Sequence, residues 1–136
     1  MLTARISEDR LRLRKRGTVG VRILRLEGRV HHTNAAEFTT ELTLRSLYLS
    51  SGEALIIDFS DLHSISSAGL RGLLELKKEL QEAGIKFVFA GLSGEMEVIF
   101  RVTRFDCIFP IARDVDAASR MILEDRNSCS RPARLH

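Results

Sequence analysis

The chain has 136 residues, of which 44% are apolar and 29% charged, and its net charge is +3, so its size and composition fit one compact domain. No apolar run approaches the about 20 residues of a membrane-spanning helix, and the N-terminus lacks the apolar core of a secretory signal, so we expect a cytoplasmic protein with no membrane insertion. The two cysteines, Cys107 and Cys129, have neither metal-ligand spacing nor the pattern of a disulfide framework.

A basic segment comes first along the chain: residues 1–29 hold nine lysines and arginines against three acids. Such a segment can indicate a nucleic-acid partner. However, Leu11 and Leu13 alternate with arginines, the period of a half-buried edge strand, on which positive charge discourages aggregation. Because no stacking aromatic residues accompany the charges, we expect no nucleic-acid partner.

A hairpin and a helix are predicted next. A turn at residues 15–18 leads into a strand over residues 19–27, whose apolar residues change side along its length. This change indicates a bulge or a strand covered on both faces. Residues 28–34 are predicted to leave the sheet as a loop. Asn34 and Glu37 have the spacing of a capping pair, so a helix should follow the loop.

The segment 54–74 is the most informative part of the sequence. Residues 54–59 form an apolar run closed by an acid, which is typical of a buried parallel strand. A short polar loop follows, and a helix is predicted over residues 67–83 with Gly84 as its C-terminal cap. The residues predicted to face inward from this helix are Leu70, Leu73, Leu74 and Leu80.

The last third of the chain is predicted to add two strands and two helices. They are a strand at 86–90, a helix at about 95–102 capped by Ser93, a short strand at 107–109 and a helix from Asp114 to about Glu124. Strands that alternate with helices predict an α/β fold with a mixed, mainly parallel sheet, an antiparallel N-terminal edge strand and about four helices.

Ser66 and Ser67 lie at the predicted start of the helix that follows the polar loop. A hydroxyl at such a position lies beside unpaired backbone N–H groups and the positive end of the helix dipole, so the position tolerates an added phosphate. The residues alone favour a plain helix cap at Ser67, a common role of serine there, with phosphorylation as the alternative.

Five motifs in a fixed order make the chain resemble a STAS domain over about residues 10–124. They are Gly28-Arg-Val, Asn34-Ala-Ala, Ile57-Asp-Phe-Ser60, Ile65-Ser-Ser-Ala-Gly-Leu-Arg71 and Arg104-Phe-Asp-Cys-Ile-Phe109. The resemblance implies the STAS fold for this domain and leaves residues 1–9 as an N-terminal extension. The end of the chain shows no periodicity, so residues 125–136 are predicted to be a flexible C-terminal tail.

The resemblance also implies a function, that of an anti-sigma factor antagonist. Family members typically carry Asp-Ser-(Ser/Thr)-Gly-Leu, in which the serine after the aspartate accepts phosphate. Alignment on Gly69 and Leu70 places this acceptor at Ser67, while Ser66 occupies the aspartate position and is the less favoured acceptor. Without phosphate, the domain is expected to bind an anti-sigma factor/serine kinase of the GHKL type and free the protein that the kinase held. A PPM-type serine phosphatase then reverses the phosphorylation.

The surface that the resemblance implies for partner binding surrounds Ser67. Its residues are His31, Thr33, Asn34, Asp58, Ser60, His63, Ser64, Ser66, Gly69, Leu70, Arg71 and Ser93. Gly69 is expected to let the partner approach closely, and Leu62 or Leu70 to add an apolar contact. Asp58 has a second interpretation, in which it ends its strand or accepts hydrogen bonds from the serine loop. ATP belongs to the kinase in this scheme, so no cofactor is assigned, and the sequence leaves a homodimer open.

Two alternatives remain. A constitutive STAS scaffold subunit of a larger assembly, such as a lipid-transport ATPase complex or a stressosome, fits the same fold, and Ser66 at the aspartate position favours it. A hydrolase would use Ser66 or Ser67 with His63, but the Gly-x-Ser-x-Gly pattern and an orienting acid are absent. Adjacent histidines at 31 and 32 are poorly arranged for one metal ion. We therefore predict no enzymatic activity, no catalytic residue and no metal site.

Overall fold

A computed structural model describes residues 4–14, 17–49 and 52–128, with only the backbone for residues 125–128. In these ranges two consecutive strands come first, and helices and strands alternate after them. The strands are β1 (Ala4–Arg14), β2 (Thr18–Val30), β3 (Ala54–Ile65), β4 (Phe87–Ala90) and β5 (Ile111–Ala112). The helices are α1 (Ala35–Leu47), α2 (Ser67–Glu82), α3 (Gly94–Val102) and α4 (Val115–Ser128). Within the described ranges, no helix is long and apolar enough to cross a membrane.

The sheet has the order β1-β2-β3-β4-β5, with β1 antiparallel to β2 and the other neighbours parallel. The predicted α/β fold, with an antiparallel N-terminal edge strand and four helices, is therefore confirmed. The connections after β2, β3 and β4 all leave the carboxyl ends of parallel strands, so they lie at the same end of the sheet. The hairpin between β1 and β2 lies at the opposite end.

Helices cover both faces of the sheet. α1, α2 and α3 pack on one face and α4 on the other, so that the sheet separates two apolar cores. In β2, Leu24 belongs to the three-helix core and Ile23 to the α4 core, and both are at most 4% exposed. The strand is covered on both faces, which is one of the two interpretations that its pattern allowed.

The pairing of β3 with β2 shifts by one residue twice, once after Asp58 and once after Leu62. Both extra residues belong to β3, so the bulges lie in the partner of the strand for which one was predicted. Phe59, Leu62 and Ile65 all lie in the three-helix core although they are three residues apart. The stretch 60–65, predicted to be a polar loop, is therefore a bulged strand.

Three predicted strand boundaries were wrong. β1 begins at Ala4, inside the stretch expected to be an N-terminal extension. β2 continues to Val30, so residues 28–30 are strand rather than loop. Residues 107–109 do not form a strand, because a 3₁₀ turn occupies Phe105–Cys107 and the last strand follows as β5.

The helices differ from expectation in smaller ways. In α2, Leu74 is 41% exposed and Leu76 takes its predicted place in the core. α4 extends to Ser128, into the stretch expected to be a tail, while residues 129–136, with the cysteine at 129, lie outside the described residues. Residues 15 and 16 of the predicted hairpin turn also lie outside them. Gly17 follows with a φ of +117°, a conformation that favours glycine.

Candidate functional site

The serine turn, defined as residues 64–67, joins the end of β3 to the start of α2. Ser66 is the N-cap of α2: its backbone is extended, and its Oγ accepts a hydrogen bond from the backbone N–H of Gly69 at 3.2 Å. The capping role predicted for Ser67 was therefore assigned to the wrong serine. Ser67 is the first helical residue, and its side chain is exposed with no hydrogen-bond partner in the described part of the chain.

The start of α2 is electropositive. Its first turn contains no acidic residue, and the backbone N–H groups of Ser67 and Ala68 have no partner among the residues that the structure describes. Arg71 lies one helical turn after Ser67, exposed and without an ion pair to any described side chain. An anion on the Ser67 side chain would therefore meet the positive end of the helix dipole and a nearby guanidinium.

The loop between β2 and α1, residues 31–34, packs beside the serine turn. The backbone N–H of Ser66 donates to the carbonyl of Val30 at 2.8 Å, which holds the start of α2 against the end of β2. Asn34 Oδ1 accepts from the backbone N–H of His31 at 2.8 Å, and its Nδ2 donates to the carbonyl of Arg29 at 3.1 Å. The side chain of Asn34 makes no capping bond to α1, so the predicted capping pair was wrong.

His31, Thr33 and Asn34 thus lie in the loop that follows Val30, next to the serine turn, and their part in partner binding stays a prediction. Thr33 is exposed and His31 is half-buried. The Nε2 atom of His31 is buried and has no hydrogen-bond partner among the described residues. Together with Ser64, Ser66 and Ser67, these residues form the first of two groups in the predicted site.

Two glycines of α2 serve contacts within the chain. An added Cβ at Gly69 would lie 2.6 Å from Cγ1 of Ile65 and 2.9 Å from Cγ1 of Val30. Gly69 is buried, so the prediction that it lets a partner approach closely was wrong: it lets α2 approach β2 and β3. One turn later, a Cβ at Gly72 would lie 2.7 Å from Cβ of Thr39 in α1.

The second group surrounds Asp58, which is 5% exposed. Its Oδ2 accepts a hydrogen bond from Arg25 Nε at 3.2 Å, and its Oδ1 accepts from the N–H and Oγ of Ser60 at 3.0 and 2.8 Å. Gly91, with a φ of +81°, passes so close that a Cβ there would lie 2.7 Å from Asp58 Oδ1. The carboxylate is enclosed, so direct partner contact by Asp58 was the wrong expectation. Its second interpretation was also wrong, because β3 continues past Asp58 to Ile65 and the hydrogen bonds come from Arg25 and Ser60 rather than from the serine turn.

The other members of the predicted surface lie on three elements: Ser60 and His63 in β3, Leu70 and Arg71 in α2, and Ser93 just before α3. Those that are exposed are Ser60, His63, Arg71 and Ser93. Leu70 is half-buried against the three-helix core, and Leu62 is only 3% exposed, so Leu62 cannot supply the predicted apolar contact. Residues 61–65 of β3 lie between Ser60 and Ser66, so six residue steps, roughly 20 Å of extended chain, separate the two serines. The site is therefore elongated.

Arg25 was missed as a site residue. In addition to its hydrogen bond with Asp58, the guanidinium of Arg25 lies 3.6 Å from a carboxylate oxygen of Asp9 in β1. A basic residue in one strand and an acid in the next was a usable signal, but the register that pairs them is not visible in a single sequence. Within the described residues, no group of three histidine, cysteine or acidic side chains could hold a metal ion.

Comparison with known proteins gives one family and a close relative. A family model described as the STAS domain matches residues 12–118. BtrV of Bordetella bronchiseptica, whose name proposes it as an anti-sigma factor antagonist, is 33% identical over 101 residues, which are 74% of this chain and 84% of that protein.

Two solved structures share the fold at lower identity. An anti-sigma factor antagonist from Mycobacterium paratuberculosis gives a TM-score of 0.65 at 20% identity, covering 86% of this chain and 95% of that chain. The Bacillus cell fate determinant SpoIIAA in its phosphorylated form gives a TM-score of 0.52 at 18% identity, covering 74% of this chain and 90% of that chain.

Proposed function

The chain belongs to the STAS domain family, and we propose that it acts as an anti-sigma factor antagonist whose partner binding is switched off by phosphorylation of Ser67. The observation that carries the proposal is the division of roles in the serine turn. Ser66 caps α2, while the adjacent Ser67 hydroxyl is exposed and unengaged among the described residues. The name of the Bordetella relative supports the class of function.

Ser67 is favoured over Ser66 as the acceptor because of what each hydroxyl already does. Ser66 is half-buried, and its Oγ accepts a hydrogen bond from the N–H of Gly69. Phosphorylation of this oxygen would therefore remove the cap of α2. A phosphate on Ser67 breaks no hydrogen bond within the described part of the chain.

The free domain can accommodate a phosphate at Ser67. The group brings a charge of roughly −1.5 to −2 and three acceptor oxygens. The N–H groups of Ser67 and Ala68 lie at the same helix start, no acid in the first turn repels the charge, and Arg71 follows one turn later. These features lower the free energy of the phosphorylated, unbound state.

If a partner covers the serine turn, the phosphate is not stabilised in this way in the complex. The phosphate would then lose its hydration or face the partner's own groups. A loss of only about 3 kcal/mol would weaken binding more than a hundredfold. Because the phosphate is tolerated in the free domain and costly in the complex, phosphorylation releases the partner.

In this proposal the partner is an anti-sigma factor/serine kinase of the GHKL type, and a PPM-type phosphatase restores binding in the cytoplasm. The kinase supplies ATP and the catalytic groups. This chain supplies the acceptor hydroxyl of Ser67 and a binding surface that includes Thr33, Ser60, His63 and Arg71, all of which are exposed.

The test compares Ser67→Asp with Ser67→Asn, two variants that have nearly the same size and differ in charge. Each is used to capture partners from extracts of the native cells, and binding of the purified kinase-like partner is then measured by calorimetry. We expect Ser67→Asn to bind like the wild type and Ser67→Asp to bind at least about tenfold more weakly. Fragmentation of the tryptic peptide 46–71 from native protein should place phosphate on Ser67 rather than Ser66.

Equal binding by the two variants, with no phosphate on the native peptide, would contradict the switch. Stable co-purification with ATPase and permease subunits, or with a large assembly, would then establish the constitutive scaffold instead.

A further inference from the structure

The edge strand β1 offers a long unpaired backbone. It spans 11 residues and pairs with β2 on one side, while the described residues place no strand on its other side. The outward N–H and C=O groups of such an edge can pair with another extended chain. This feature lies outside the proposed switch and has no role in it.

The two faces of β1 differ in chemistry at its C-terminal half. Arg10, Arg12 and Arg14 lie on the three-helix face, all exposed and without an ion pair among the described residues. Their side chains are spaced by two residues, about 6.8 Å along the strand. On the α4 face, Leu11 is 37% exposed and Leu13 is half-buried against the core. The edge therefore presents arginines on one face and leucines on the other.

The acids of β1 are already engaged. Glu8 lies 3.4 Å from Arg22 and 3.3 Å from Arg45, and Asp9 lies 3.6 Å from Arg25. A second copy of β1 would therefore bring no free acid to the arginines, and it would bring arginines of its own. The charge pattern disfavours pairing between identical chains.

We propose that the free edge of β1 binds an acidic extended segment of another protein as an added sixth strand. An added strand has the same two-residue period as β1, so acids at every second position would lie opposite Arg10, Arg12 and Arg14. The alternate positions would lie on the leucine face, so they should be apolar. The preferred partner segment thus alternates acidic and apolar residues.

This edge is remote from the serine turn. The three arginines pair with residues 18–22 at the start of β2, whereas Ser66 is bound to Val30 at its end. Eight or more residues of strand, roughly 26 Å, separate the two regions. The edge can therefore be occupied whatever the state of Ser67, and its test does not depend on the proposed switch.

The probe is a labelled synthetic peptide of about nine residues that alternates glutamate with valine. A peptide of the same composition with its glutamates grouped at one end is the control ligand. Fluorescence anisotropy measures binding at low ionic strength, where exposed charge pairs are least screened. The variant is the triple change Arg10→Gln, Arg12→Gln and Arg14→Gln. Its matched control is Lys78→Gln, Arg101→Gln and Arg120→Gln, which removes equal charge from exposed helical positions.

We expect the alternating peptide to bind more tightly than the grouped one, and the β1 variant to weaken binding about tenfold or more. The control variant should bind like the wild type, and all three proteins should melt at the same temperature. Hydrogen exchange should show protection of alternate amides of β1 when the peptide is bound, which attraction between surface charges alone would not produce.

Three results would overturn the proposal. Equal weakening by the two variants would show only a general response to charge. Tighter binding of a single-stranded oligonucleotide of the same charge would assign the edge to nucleic acid. Protection of the outward β1 amides in the protein alone, with a dimeric mass, would assign it to a second copy of this chain.

Discussion

The N–H of Gly69 donates to the Oγ of Ser66 at 3.2 Å, so these two residues close the first turn of α2 around Ser67. A Cβ added at the same Gly69 would overlap the side chains of Ile65 and Val30, so α2 packs closely against both there. The turn is thus held by a cap on one side and by packing on the other. Ser67 lies between the two contacts and takes part in neither.

We expect Ser66→Ala to lower the free energy of unfolding by about 1 kcal/mol, the usual cost of losing a serine cap. Ser67→Ala is the matched control, because its hydroxyl is exposed and unbonded in the described structure, and it should change stability by less than about 0.5 kcal/mol. Chemical denaturation measures both. A larger loss for Ser67→Ala than for Ser66→Ala would show that the cap is misassigned.

Overpacking against α1 should cost Gly72→Ala about 2–3 kcal/mol, the upper part of the usual range. Alanine favours a helix over glycine by about 1 kcal/mol, so the expected net destabilisation is roughly 1–2 kcal/mol. Thr39→Ser removes the methyl group that lies nearest to Gly72 and keeps the hydroxyl, which donates to the carbonyl of Ala35 at 2.8 Å. The double variant should therefore recover part of the loss in a double-mutant cycle. Wild-type stability for Gly72→Ala alone would contradict a tight α1–α2 contact.

The pair of Arg25 and Asp58 should show strong energetic coupling. Asp58→Asn leaves a buried amide beside Arg25, and we expect a loss of roughly 1.5–3 kcal/mol, the range for hydrogen bonds to charged groups. A cycle with Arg25→Met measures the coupling. Asp9→Asn provides the comparison, because Asp9 is 3.6 Å from the same arginine and 64% exposed, so its coupling should be below about 1 kcal/mol. Equal coupling for the two acids would refute a special role for Asp58.

The stability that Asp114 gives to α4 should depend on pH. A hydrogen bond from the backbone N–H of Ala117, 2.8 Å from Asp114 Oδ1, is the main cause that holds the pKa of Asp114 below its ordinary value. Loss of hydration opposes this effect, and the nearby charge of Arg113 adds to it. A carboxyl with a lowered folded pKa stabilises the protein above its ordinary pKa, and the contribution is lost as pH falls through the folded pKa.

We therefore expect Asp114→Ser to be less stable than the wild type near neutral pH and the difference to shrink in acid, as measured by denaturation at a series of pH values. Asp116→Ser removes the same charge two residues later, with no corresponding side-chain hydrogen bond in the described structure, and should show a smaller change with pH. A difference that is constant from neutral to acid pH would contradict the role given to the hydrogen bond between Ala117 N–H and the Asp114 carboxylate.

The order of the elements could be predicted because each has a local signal. The apolar run at the start of β3 and the stripe of α2 are visible in the sequence alone. The second half of β3 could not be recognised. Its buried residues Phe59, Leu62 and Ile65 are three positions apart, so the alternation of a regular strand disappears and the polar residues between them look like a loop.

The detail of the serine turn depends on contacts between distant residues. Ser66 and Ser67 are equally good caps by residue type, and the bond from Ser66 N–H to the carbonyl of Val30 decides where α2 begins. The contact between Arg25 and Asp58, which are 33 positions apart in sequence, likewise depends on the register in which β2 pairs with β3. Neither the hydrogen bond to Val30 nor the register of β2 and β3 can be read from a single sequence.

The bulges of β3 also determine where this protein can tolerate a change in length. Loss of one residue from a regular strand moves every later side chain to the opposite face. His63 is different, because the pairing of Leu62 with Gly28 and of Ser64 with Arg29 already passes over it. Deletion of His63 would make the pairing of β2 with β3 regular there and would leave Ile65 in the core and α2 in place. Deletion of Ile57 would instead move the later side chains of β3 to the opposite face of the sheet. The fold should thus tolerate deletion of His63 but not deletion of Ile57, six residues earlier.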